Sequence, residues 1–290
     1  MSTPPFLDLP AGVRAMSLDT PDGALAALVA APDGAGRPTP SPVLLVPGYT
    51  GSKEDFIAVL EPIAAAGHHV VAIDLRGQFE SPGAADPSGY DVAALAADVL
   101  AVAAGLGAPV HLVGHSFGGL VARAAALSDP DLLCSLTLMS SGPAAVPPPA
   151  NANIGLMAQA LPVMDLESIW VAKRQIEAES EPEPPPPEIE AFLHKRFVSN
   201  QPAGLLRMAE TLLSEADRTA ELAEVDVPVL VTFGERDDVW PPDVQAEMGK
   251  RLGAEVVVIM DGAHSPAAQQ PARTAEALLA FWGSIQTRHS

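Results

Sequence analysis

The sequence predicts an α/β fold, a mostly parallel eight-stranded sheet flanked by helices, with a helical insertion late in the chain. Three observations predict it. Short apolar runs alternate with longer amphipathic stretches, the rhythm of parallel strands joined by crossover helices. That rhythm stops after Ser141 and resumes near Val229, with helical patterns alone in between. The 290 residues, 48 % of them hydrophobic, suffice to bury one large core.

The expected strands are 13–18, 24–30, 43–46, 69–74, 110–114, 135–140, 229–233 and 255–260. Thr20-Pro21-Asp22-Gly23 between the first two is a turn signal, so they form an antiparallel hairpin. The first helix, 53–66, follows Ser52 as its N-cap, and Glu54 and Asp55 in its first turn suit the helix dipole. Helices 91–104 and 117–127 pack on the sheet. Helices 241–252 and 271–285 open on proline, which fits a first turn whose N–H groups have no helical partner. The insertion holds helices 153–160, 166–179, 188–199 and 203–216. The chain therefore divides into a core domain, 1–142 with 226–290, and a cap or lid, 143–225. Thirty prolines are about twice the usual share. They gather near 38–42, 147–149 and 182–187, where loops are expected, the last as a stiff connector with polyproline geometry.

The formal net charge of −20 repels phosphate backbones and anionic lipid surfaces, so neither nucleic acid nor membrane is an expected partner. The single cysteine, Cys134, allows no intrachain disulfide and is expected as a small core residue. The first residues lack a basic stretch followed by an apolar one, and no apolar run is long enough to span a bilayer. The expectation is a cytoplasmic protein, monomer or homodimer. There is no Cys/His ligand spacing and no phosphate-cradling loop, so no metal or cofactor is expected.

The chemistry concentrates in Gly114-His115-Ser116-Phe117-Gly118-Gly119, which follows the strand 110–114 and opens a helix. A serine between two glycines, set between strand and helix, is pushed out of the sheet edge on a strained turn. The glycines remove side chains that would collide there. The helix N-terminus then offers free N–H groups to a developing oxyanion. His264, in Asp261-Gly262-Ala263-His264-Ser265 after the last strand, follows a sharp turn permitted by Gly262 that sets its imidazole at the same sheet edge as Ser116, the setting of a general base. His115 is expected to point away from the reaction and pack. His68, His69 and His111 flank strands as structural residues, and His194 and His289 belong to no motif.

These motifs resemble the α/β-hydrolase superfamily, in its cap-bearing serine hydrolase branch, across nearly the whole chain and most weakly over 143–225. The resemblance implies a triad in chain order Ser, Asp, His. Its Gly-x-x-Asp pattern falls on Gly234-Glu235-Arg236-Asp237, which makes Asp237 the acid, with Asp238 as the neighbouring alternative and Glu235 two residues back. It further implies an oxyanion hole from the backbone N–H groups of Phe117 and Tyr49. Pro47 replaces the family's usual histidine in Pro47-Gly48-Tyr49 and removes that side chain as a support for the loop. Asp74-Leu75-Arg76-Gly77-Gln78-Phe79 resembles the family's Asp-x-Arg-Gly-x-Gly loop, with Asp74 and Arg76 structural and Phe79 in place of the second glycine. The implied activity is cofactor-free cleavage of a small-molecule carboxylic ester or related acyl bond, carboxylesterase-like, through an acyl-enzyme. Tyr49, Met157, Leu161, Met164 and Trp170 are the candidate substrate-pocket residues. The same triad also serves C–C bond hydrolases and cofactor-free perhydrolase or haloperoxidase-like enzymes. A ligand-binding module that keeps the fold without catalysis is the reading from another class.

Overall fold

The computed structural model describes residues 1–32, 40–107, 109–178 and 184–288. Part of the loop expected at 38–42, the start of the proline connector at 182–183, and His289 lie outside them.

Among the described residues, eight strands form one sheet in the order β1-β2-β4-β3-β5-β6-β7-β8. Strands β1 (Val13–Thr20) and β2 (Gly23–Ala30) make the antiparallel hairpin, with Thr20 opposite Gly23 across the Pro21-Asp22 turn. Strand β2 runs antiparallel to β4 (Val70–Ile73). From β4 onward every pairing is parallel, through β3 (Val43–Val46), β5 (Val110–His115), β6 (Leu133–Met139), β7 (Val229–Gly234) and β8 (Glu255–Ile259).

The central strands read as unbroken apolar runs because helices cover both faces. Leu44, Val46, Leu112, Leu136 and Leu138 pack with α2 (Val92–Gly105) and α3 (Phe117–Ser128). Val43, Leu45, Val70, Val113 and Leu230 pack on the other face, with α1 (Ile57–Ala65) and α11 (Pro271–Arg288). Alternate residues of one strand thus enter opposite cores. The first helix departs from expectation, since its opening Lys53–Phe56 is a tighter 3₁₀ turn before α1 begins. The Ser52 N–H reaches Asp55 Oδ2 at 3.3 Å there.

Between β6 and β7 the described residues contain helices only: α4 (Asn151–Ala160), α5 (Leu166–Ala178), α6 (Pro187–Val198), α7 (Pro202–Ser214) and the short α8 (Thr219–Ala223). Leu161, Trp170, Leu193, Phe197 and Leu205 form an apolar cluster of their own, and Tyr49 packs against it from the sheet side. Helix α9 (Pro242–Leu252) links β7 to β8, and the one-turn α10 (Pro266–Gln269) precedes α11.

On the α11 face, the His111 ring stacks on Trp282 with centroids 5.0 Å apart, and its Nδ1 lies 2.8 Å from Ser135 Oγ. Burial, then the neighbouring His68 charge, pushes the His111 pKa down to about 3. In the unfolded chain an imidazole takes up its proton near ~6.5. The unfolded state therefore binds more protons between those values. This contribution to stability is complete above about pH 6.5 and is lost as pH falls toward about 3. His111→Gln keeps a partner for Ser135 and the net charge at neutral pH, so general relief of acidic repulsion cancels in the comparison. The change in melting temperature from pH 7 to pH 5 should be less unfavourable in the variant than in the wild type. Identical changes in the two would refute this.

Candidate active site

Four loops leave the C-terminal ends of β3, β5, β7 and β8 and converge at one rim of the sheet. Ser116 joins β5 to α3 with φ 54° and ψ −120°, a left-handed conformation that only a locked turn imposes on a non-glycine residue. Its N–H donates to the Met139 carbonyl at 2.9 Å and its carbonyl accepts from Gly119 at 2.9 Å, which fixes the turn from both sides. A side chain at Gly114 would overlap the Gly118 carbonyl and Ala122, and one at Gly118 would overlap the Val46 and Pro47 carbonyls. Both glycines are required by close backbone approach.

The Ser116 hydroxyl lies 2.9 Å from His264 Nε2, and His264 Nδ1 lies 2.9 Å from Asp237 Oδ1. The loops carrying these two residues are joined to each other: Glu235 N–H donates to the Ile259 carbonyl at 3.0 Å and Arg236 N–H to the Gly262 carbonyl at 2.9 Å. Asp237 is buried, while Asp238 and Glu235 are exposed, so the carboxylate that meets the imidazole is that of Asp237. Its Oδ1 also accepts the Val239 N–H at 3.0 Å, and its Oδ2 accepts from Gln245 Nε2 at 2.9 Å. Burial pushes the Asp237 pKa up, but the hydrogen bond and charge of His264, with the donors from Val239 and Gln245, outweigh it and hold the carboxyl below its usual value.

Three polar residues support this arrangement without having been singled out for it. His115 is buried as expected, but it does more than pack. Its Nε2–H donates to the His264 backbone carbonyl at 2.7 Å and so ties the His264 loop to the elbow at Ser116. Burial, then the His264 charge, pushes the His115 pKa down to about 4, which keeps that ring neutral. Gln245 clamps Asp237 and donates from the same nitrogen to the Trp240 carbonyl at 2.7 Å. Gln78 donates to the Gly48 carbonyl at 2.9 Å. It takes over the support of the loop after β3, where Pro47 offers no polar side chain. A side chain at Gly48 would come within 2.9 Å of Ser116 Cβ, so this loop lies directly against the elbow. Only local signals were available for these three: His115 adjoins Ser116, Gln78 lies in the Asp-x-Arg-Gly loop, and Gln245 stands one helical turn into α9.

The Phe117 N–H heads α3, and neither it nor the Tyr49 N–H has an acceptor among the described residues. Asp74 and Arg76 are tied to Lys53 and Asp98. Asp74 accepts from the Lys53 N–H at 2.7 Å and Lys53 Nζ at 2.9 Å, and Arg76 Nε donates to Asp98 at 2.8 Å. Of the candidate pocket residues, Leu161 and Trp170 are buried in the apolar cluster of the insertion, with Met157 packed against it. Met157 and Met164 line a cavity of about 190 Å³ between α4 and α5, with Leu156, Ile169 and Ile176. No described helix is long and apolar enough to cross a membrane.

Comparison with known proteins agrees with this architecture. RutD of Variovorax paradoxus is 41 % identical over 100 residues, which span 34 % of this chain and 37 % of that protein's length. The pimeloyl-[acyl-carrier protein] methyl ester esterase of Neisseria meningitidis serogroup B is 31 % identical over 230 residues, 77 % of this chain and 86 % of that one. A solved thermophilic esterase from Thermogutta terrifontis superposes with a TM-score of 0.72 at 26 % identity, covering 95 % of this chain and 99 % of that one. The sequence model of the alpha/beta hydrolase family matches residues 43–277. This chain belongs to the alpha/beta hydrolase family.

Proposed function

We propose that this chain is a serine hydrolase that cleaves a small carboxylic ester through an acyl-enzyme, with Ser116 as nucleophile, His264 as general base and Asp237 as the acid that orients it. The run of contacts from Ser116 Oγ through His264 to Asp237, at 2.9 Å each, carries the reading. Kinship with proteins named as esterases supports it.

In the first step Ser116 Oγ attacks the ester carbon while His264 Nε2 takes its proton, and Asp237 stabilises the imidazolium. The carbonyl electrons move onto oxygen, where the Tyr49 and Phe117 N–H groups receive the negative charge. Each such donor typically lowers the barrier by ~3 kcal/mol. The C–O bond to the alcohol breaks and His264 returns the proton to that alcohol. Water, deprotonated by His264, then attacks the acyl carbon and releases the acid and Ser116. The helices after β6 roof the site, and the acyl or alkyl part of the substrate packs beside Tyr49 and the methionines of α4 and the α4–α5 connection.

The test is labelling by a fluorophosphonate together with turnover of a p-nitrophenyl ester chain-length series. The expected result is one phosphonate on Ser116 and steady-state hydrolysis with a chain-length optimum. A protein that neither labels nor turns over any ester in the series would overturn the proposal and favour a binding module.

A further inference from the structure

Helix α6 carries a guanidinium that is 0 % exposed, that of Arg196. Its Nη1 donates to Asp55 Oδ1 at 2.6 Å and to Ser52 Oγ at 3.3 Å, and its Nη2 donates to the Ser2 carbonyl at 2.5 Å. Asp55 is itself buried, and its Oδ2 accepts the Ser52 N–H at 3.3 Å. A methyl group at Gly51 would stand 2.5 Å from that same oxygen. The ion pair therefore underlies the turn 48–52, the turn that carries the Tyr49 N–H. The Asp55 charge also acts on His115, which holds the His264 carbonyl.

Stability alone is a weak account of such a pair. Desolvating two charges costs several kcal/mol per ion, and apolar residues of similar volume are often as stabilising or more so. What the pair supplies and an apolar patch would not is direction. A guanidinium has a rigid fork of donors, and here the fork joins a carboxylate and a hydroxyl of one turn, Asp55 and Ser52, to the main-chain carbonyl of Ser2 in a second segment. An oxyanion hole needs such definition, because its donors must lie ~2.7–3.1 Å from the oxygen of the tetrahedral intermediate.

We propose that Arg196 is a positioning residue that acts through Asp55 to fix the turn 48–52, so that the helical insertion sets the geometry of the oxyanion hole. The inference rests on the serine hydrolase reading above, and phosphonate labelling of wild-type Ser116 tests that reading separately. Neither Arg196 nor Asp55 touches substrate in this scheme. Their loss should weaken binding of the transition state and spare that of the ester.

The experiment compares Arg196→Lys and Asp55→Asn with wild type, on protein whose near-ultraviolet circular dichroism is native. The measurements are kcat and KM for the best p-nitrophenyl ester and affinity for the matching trifluoromethyl ketone. That ketone adds Ser116 Oγ to its carbonyl carbon and places an oxyanion in the hole. The expected result is a fall in kcat of about 10- to 100-fold, with the ketone weakened by a similar factor and KM within about threefold. A folded variant that keeps kcat and ketone affinity within about twofold of wild type overturns the proposal, even if its melting temperature falls. Amide exchange on the wild type needs no variant to fold. Ketone binding should raise protection in 49–52 and in 193–200 together. Protection gained in the turn with none in α6 would also overturn it.

Discussion

Ser116→Ala should lower kcat by about five to six orders of magnitude and leave thermal melting unchanged. The size follows from what the hydroxyl does in the proposed mechanism. Without it no acyl-enzyme forms, and only positioning and the oxyanion donors remain to assist direct attack by water, a residual ~10³–10⁴ over the uncatalysed rate. The unchanged melting follows from the contacts. The side chain's hydrogen bond is to His264, whose imidazole is partly exposed. The turn itself is held by the backbone bonds to Met139 and from Gly119. Alanine bears the same positive-φ strain as serine, since both carry a Cβ. Turnover is measured on protein freed of wild-type contamination, with phosphonate labelling as the parallel readout. A loss of less than about tenfold would remove Ser116 from the chemistry.

The parts of this molecule legible in the sequence share one property: their signal is local. Leu44 and Val46 face one helical layer and Val43 and Leu45 the other, so β3 reads as a continuous apolar run whatever its neighbours. Gly114, Ser116 and Gly118 are needed by a turn built within five residues. The order of strands is different. Strand β4 lies between β2 and β3, a crossover that no single segment encodes. The same holds for the supports of the site. Gln78 matters because Gly48, thirty residues earlier, presents a carbonyl to it, and Arg196 because Asp55 waits 141 residues away. Before the fold is known, a buried glutamine or arginine is indistinguishable from an exposed one of the same composition. The one-turn α8 and α10 escaped for a simpler reason, because four or five residues show no helical periodicity.

Asp237→Asn is the second large effect, a fall in kcat of about 10⁴, while Asp238→Asn should stay within about twofold of wild type. The Oδ1 position of Asp237 faces two donors, His264 Nδ1–H and the Val239 N–H, and the Oδ2 position faces Gln245 Nε2. An asparagine amide group turned toward His264 opposes the Val239 N–H and forces the imidazole proton onto Nε2, where it can no longer accept from Ser116. Turned toward Gln245, it meets a nitrogen held in place by the Trp240 carbonyl. If Gln245 rotates to present its oxygen, the imidazole keeps its tautomer, yet no negative charge remains to stabilise the imidazolium in the transition state. Either orientation damages catalysis by a different route, and the pH dependence of stability tells whether the charge was there. The depressed Asp237 pKa contributes stability that is present above the unfolded value near ~3.9 and lost as pH falls through the folded value, so the variant should lose less stability on acidification. Titrating both proteins with urea at neutral and at low pH measures this. Asp237→Asn with near-wild-type turnover, or Asp238→Asn with the larger loss, would move the acid of the mechanism to another carboxylate.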